Sequence, residues 1–198
     1  MSQRKPPELD MLGASAAILA LLVLLYFGLA SKSFSQTYWV AFAFWIVGFI
    51  GSYVLGFFKP SPRLSLNTLI GVFVGTGLII AAFTGLNVAY AQMKPQDLYL
   101  TDRLLSFSIG VCEELFFGIF LIGMLTTLIR LPNMVAIIAS SGVHTVYHVP
   151  AWGTNPMTLS LFFVSFLIAR AVYVYFMPKV GVLLAAHGLW NFAVTGGT

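Results

Sequence analysis

Seven long apolar blocks divide this 198-residue chain, at about 11–30, 38–58, 67–91, 104–129, 133–152, 157–176 and 179–195. Each is apolar on every face and close to the length that carries a helix across a hydrocarbon core about 30 Å thick. Transmembrane β-strands would instead appear as alternating segments of about ten residues. The breaks carry prolines and charges: Lys59, Pro60, Pro62 and Arg63; Lys94, Pro95 and Asp97; Arg130 and Pro132; Pro150 through Pro156; Pro178 and Lys179. Proline suits these places because it cannot continue a helical hydrogen-bond ladder. Only 8% of the residues are charged, against about 25% in a soluble domain. A chain this short has too much surface for a large core to account for the difference. The expected fold is all-α, a polytopic transmembrane bundle of about seven helices, in a single membrane domain over residues 1–198.

The first block is too long for the apolar region of a signal peptide, about 7–15 residues, so it reads as an uncleaved helix. Gly28, Leu29 and Ala30 are the competing cleavage-site imitation. With the amino terminus inside, inner loops hold Arg4, Lys5, Lys59, Arg63, Arg130 and Lys179, and outer loops hold Lys32, Lys94 and Arg103. This positive-inside bias predicts a cytoplasmic amino terminus; the expected location is the plasma membrane of a prokaryote. The partner of most of the chain is then the lipid bilayer. The net charge of +4 is scattered between blocks and is no nucleic-acid signal. The single cysteine, Cys112, excludes an internal disulfide and a cysteine metal cluster.

The informative residues are the polar ones inside the apolar blocks. Glu113 and Glu114 lie in the fourth block, His144 and His148 in the fifth, Arg170 in the sixth, and His187 and Asn191 in the seventh. An ionisable group near the bilayer centre costs about 2.5–3.5 kcal/mol on insertion scales and marks a functional site by default. His144 and His148 are i and i+4 and share a helix face, as do His187 and Asn191. A carboxylate with two or three imidazoles can activate water with or without a metal, and an asparagine amide can stabilise an oxyanion. Any one of these residues alone is as readily interhelical glue. Ser140 and Ser141 lack a G-x-S-x-G setting and read as small packing residues. Cys112 in apolar surroundings reads as inert.

At these positions the chain resembles the CPBP intramembrane endopeptidases, also called the Abi or CAAX amino-terminal protease family. The family motifs E-E-x-x-x-R, F-x-x-x-H and H-x-x-x-N are matched, in order, by Glu113 to Gly118, His144 to His148 and His187 to Asn191. The resemblance covers about residues 100–195, so residues 101–198 form the expected CPBP-like catalytic core and residues 1–100 supply amino-terminal helices without a motif. There are two departures. The family arginine falls at Gly118, and the family phenylalanine at His144. Arg170, the one basic residue deep in a block, needs an acidic partner and is expected to reach Glu114 in place of the absent arginine.

The resemblance implies that Glu113 is the general base, that Glu114 is part of the catalytic set, and that His148 helps hold the water or a metal. His187 and Asn191 bind a metal or stabilise the oxyanion. Zinc is an admissible cofactor, with Glu113, His148 and His187 as ligand types, and His144 supports the others. The expected substrate is a peptide or membrane protein, with prenylated carboxyl-terminal peptides among those the family takes. The alternatives are a catalytically inactive relative acting as a binding or scaffold protein, a proton-coupled transporter, whose usual internal repeat is missing here, and a haem protein using paired histidines.

Overall fold

The computed structural model describes residues 7–30, 36–61, 70, 74–81 and 100–194. Helix α1 spans Met11–Ala30. Helix α2 spans Gln36–Trp45 and continues through a π-helical stretch, Ile46–Gly51, into Ser52–Val54. Of the third apolar block only residue 70 and residues 74–81 are described, and these are helical (α3); the rest of that block lies outside the described residues. Helix α4, Leu100–Glu113, runs on as π-helix over Glu114–Leu121 and Met124–Leu128. Helix α5 is Asn133–Tyr147, α6 is Pro156–Ala171 with a π-helical end at Val172–Phe176, and α7 is Val180–Val194. Among the described residues two stretches, Asp102–Leu128 and Pro156–Phe176, are long and apolar enough to cross a membrane, and Met11–Phe27, Tyr38–Val54 and Val180–Ala193 are shorter apolar helices.

The fifth block is not one helix. Helix α5 ends at Tyr147, and a short turn of helix, Val149–Trp152, follows His148. Pro150 has no N–H to give and restricts the residue before it. Helix α6 then restarts on a strong signal. The Asn155 side chain accepts from the backbone N–H groups of Met157 and Thr158, and Pro156 sits in the first turn.

Helices α4 and α7 pack along each other, α1 lies against both, and α5 pairs with α6. Small residues permit the close approaches. A Cβ on Gly48 would lie 2.6 Å from the Leu115 backbone, and one on Gly188 would lie 2.7 Å from the Phe107 ring. Trp45 donates its indole N–H to the Ala17 carbonyl at 2.8 Å and ties α2 to α1. The core runs through Ala17, Ala20, Val111, Leu115, Leu183 and Leu184. The outer faces carry exposed Leu22, Leu25, Trp39, Val54, Ile138 and Phe176. The charged Glu113, Glu114 and Arg170 are inside.

One end of the bundle is closed by a clasp. Residues Glu8–Leu9 (β1) pair in parallel with Lys59–Pro60 (β2). The Glu8 N–H donates to the Pro178 carbonyl at 2.9 Å, and Lys179 forms an ion pair with Glu8. Asp10 Oδ1 accepts from Gly13 N–H at 2.8 Å and from Gly181 N–H at 3.0 Å. One carboxylate thus caps two helices, α1 and α7. At the opposite end of α7, Arg103 donates to the carbonyls of Phe192 and Ala193, where a cation satisfies unpaired carbonyls at a helix C-terminus.

Candidate active site

The site is built by α4, α5, α6 and α7. Glu113 closes α4, and Glu114 opens the π-helical stretch after it. A π turn widens the helix by one residue and is frequent at functional sites. Both glutamates are buried. Glycines let α7 come close. A Cβ on Gly110 would meet Asn191 and His187, and one on Gly118 would meet the Glu114 carboxylate and the Leu183 side chain. Position 118 therefore has no room for an arginine pointing this way.

Arg170 supplies the cation from α6 instead. Its Nη2 donates to Glu114 Oε1 and Oε2 at 3.2 and 3.3 Å, and lies 2.6 Å from His144 Nδ1. Its Nη1 donates to Ser141 Oγ at 3.4 Å. Both residues of the Arg170–Glu114 pair are fully buried. The partner that sequence reasoning required for Arg170 is the one found.

Glu114 also meets His187, whose Nδ1 lies 3.1 Å from Glu114 Oε1. The second carboxylate, Glu113, faces three imidazoles. His144 Nε2 lies 3.5 Å from Glu113 Oε2, and His148 Nε2 and His187 Nε2 each lie 3.8 Å from it. Those spacings are longer than a direct hydrogen bond. The two glutamates thus have different settings: Glu114 is paired with a guanidinium, while Glu113 is turned toward imidazole nitrogens. Asn191 donates its amide to the Ser106 carbonyl at 3.3 Å and stands beside His187 on α7.

All five expected catalytic residues, Glu113, Glu114, His148, His187 and Asn191, fall in this region. The metal-ligand set differs in one member. Glu113, His144 and His148 offer ligand atoms within 4.8 Å of one another, whereas the sequence suggested Glu113, His148 and His187. His144, read from sequence as a supporting residue, is at the centre. Its ring is sandwiched between Phe117, with centroids 4.3 Å apart, and Phe166, at 3.9 Å. These two phenylalanines carried no sequence signal, because an aromatic residue in an apolar helix is most simply packing. Ser140 and Ser141 are polar ties. Ser140 donates to the Phe117 carbonyl at 2.5 Å, and Ser141 accepts from Arg170. Cys112 is buried.

No curated protein and no solved structure matches the chain. The family description Type II CAAX prenyl endopeptidase Rce1-like matches residues 95–193, half of the chain, and this stretch holds every one of the site residues above. The motif order read from the sequence and this match agree, and the chain belongs to the Rce1-like type II CAAX prenyl endopeptidase family, a family of membrane proteases.

Proposed function

We propose that the chain is an active polytopic intramembrane endopeptidase that hydrolyses a peptide bond with water activated by Glu113. The observation that carries this reading is the convergence of three imidazole Nε2 atoms on Glu113 Oε2, at 3.5–3.8 Å, inside a bundle whose outer faces are apolar. Glu113 takes a proton as the water oxygen attacks the peptide carbonyl carbon. His148 orients that water. The negative charge moves onto the carbonyl oxygen, where the Asn191 amide and His187 are suited to receive it. Collapse breaks the C–N bond, and Glu113 returns the proton to the departing nitrogen. Glu114, neutralised by Arg170, holds His187 in place. A zinc ion here would be held by Glu113 and His148, the two residues common to the ligand set expected from the sequence and the group the structure brings together, and would supply Lewis-acid polarisation.

The substrate is a peptide or membrane protein, and the family description points to a prenylated carboxyl terminus. Activity is supported over an inactive relative by Arg170, which brings a guanidinium to Glu114 although the family arginine is absent at Gly118. The clasp supports a common side for the segments that a cytoplasmic amino terminus requires to be together. It joins residues 7–10, 59–61 and 178–179 at one end, the three segments that positive-inside counting assigns to a single side.

The test is cleavage of a quenched library of prenylated and unprenylated peptides by purified protein in detergent, with metal content measured alongside. Wild-type cleavage that disappears in Glu113→Gln is the expected result. Equal cleavage by both proteins would overturn the role of Glu113, and no cleavage by either would favour a binding or scaffold protein.

A further inference from the structure

His144 and Arg170 settle each other's hydrogen bonding. A guanidinium has donors only and no lone pair to offer. In the 2.6 Å contact between Arg170 Nη2 and His144 Nδ1, Nδ1 must therefore accept, and it carries no hydrogen. A doubly protonated ring would set N–H against N–H and place two cations together in a fully buried space. A flipped ring would turn a carbon toward the guanidinium. The remaining form is neutral, with its hydrogen on Nε2. That nitrogen is buried, has no hydrogen-bond partner among the described residues, and faces Glu113 Oε2 at 3.5 Å. The slot between Phe117 and Phe166 fixes the plane of the ring.

We infer that His144 is a positioning residue for Glu113: Arg170 holds it as the Nε2–H tautomer, with its N–H aimed at the carboxylate. The positioning role rests on the reading of Glu113 as the water-activating group. Hydrogen bonds at catalytic groups are often long without substrate and tighten when it binds, and a donor held in place beforehand needs no rearrangement at that moment. A corollary concerns metals. A nitrogen that bears a hydrogen has no lone pair for a cation, and the other nitrogen is taken by Arg170. His144 is therefore not a metal ligand, although its spacing to Glu113 and His148 suits one. The two departures from the family motifs belong together. A guanidinium arriving from α6 faces position 144, where a phenylalanine could not accept its second hydrogen.

The test uses the full chain in detergent with 15N-labelled histidine and 13C-labelled glutamate. His144→Phe keeps the aromatic slot filled and assigns the His144 ring signals by their loss; Glu113→Gln assigns the Glu113 carboxyl signal. The expected ring signature is a bare Nδ1 and a hydrogen on Nε2 that remains when excess zinc is added. The Glu113 carboxyl signal is expected to move in His144→Phe. A hydrogen on Nδ1, loss of the Nε2 hydrogen on adding zinc, or an unmoved Glu113 signal would overturn the inference. In the cleavage assay, His144→Phe should lower kcat by about 10-fold or more, as for other residues that orient a reacting group, with KM unchanged. His144→Gln, which retains a donor, should recover part of the loss. A raised KM with intact kcat would contradict a positioning role. Failure of the wild type to cleave any peptide would sink the proposed function, while the labelled spectra would still decide the tautomer and the contact with Glu113.

Discussion

Replacing Arg170 by methionine removes one charge from a pair in which both partners are fully buried. At 3.2 Å and an effective dielectric of about 20, the gross attraction is about 5 kcal/mol. The net value is smaller because both ions were desolvated to form the pair. Once the cation is gone, however, the Glu114 carboxylate stays buried with His187 as its remaining strong partner, and breaking a buried pair from one side costs about 3–5 kcal/mol. Ser141 Oγ and His144 Nδ1 lose a donor in the same step. The expected loss in Arg170→Met is therefore about 3–5 kcal/mol, read from equilibrium unfolding in mixed micelles. The double variant Arg170→Met, Glu114→Gln removes both charges and should recover most of it, with a coupling of about 2 kcal/mol or more. A single variant within about 0.5 kcal/mol of wild type, or a strictly additive double variant, would refute the argument that this pair anchors the site.

Gly118→Ala should destabilise by about 1–3 kcal/mol through overpacking, since its Cβ meets the Glu114 carboxylate and Leu183, and should slow cleavage by displacing Glu114; an unaffected variant would show that α7 can yield there. For the same steric reason Gly118→Arg, which restores the family letter, should fail to rescue Arg170→Met in either assay. Asp10→Ala should cost about 2 kcal/mol, roughly 1 for each helix start it caps, while Asp10→Asn, which keeps the Oδ1 acceptor, should cost much less; equal losses on thermal melting would contradict the double cap. The hydrogen bond from Lys179 holds the Glu8 carboxyl below the ordinary glutamate range. Its contribution is therefore complete above that range and lost as pH falls through the lowered value. The Tm difference between wild type and Glu8→Gln should be present at neutral pH and vanish on acidification, and a difference that persists in acid would have another origin.

The helices were legible because apolar runs of membrane length leave few alternatives. The site was legible because Glu113, Glu114, His148, His187 and Asn191 are polar residues where lipid or core would exclude them. The Arg170–Glu114 pair followed from charge alone, since a buried guanidinium must find an anion. Other features had no such signal. Among the described residues four stretches are π-helical, and the one at Glu114–Leu121 follows directly on Glu113, yet its residues look like any apolar helix. The break at His148 could be traced to Pro150, but the block reads as continuous in hydropathy. His144 was undervalued because its importance comes from a contact with α6, 26 residues along the chain, and spacing within α5 says nothing about that. The clasp joins groups 171 residues apart, Glu8 with Lys179 and Asp10 with Gly181, and local spacing does not show such contacts.

The clasp also bears on how such a chain is made. Asp10 leaves the ribosome well before its second donor, Gly181 N–H, which follows 171 residues later. Until α7 is synthesised, the beginning of α1 is capped on one side only, and Glu8 waits for Lys179. The join that completes the first helix is the same one that brings His187 and Asn191 alongside α4. A chain cut short before α7 would thus lack two of the site residues and also leave the Asp10 carboxylate without its Gly181 donor.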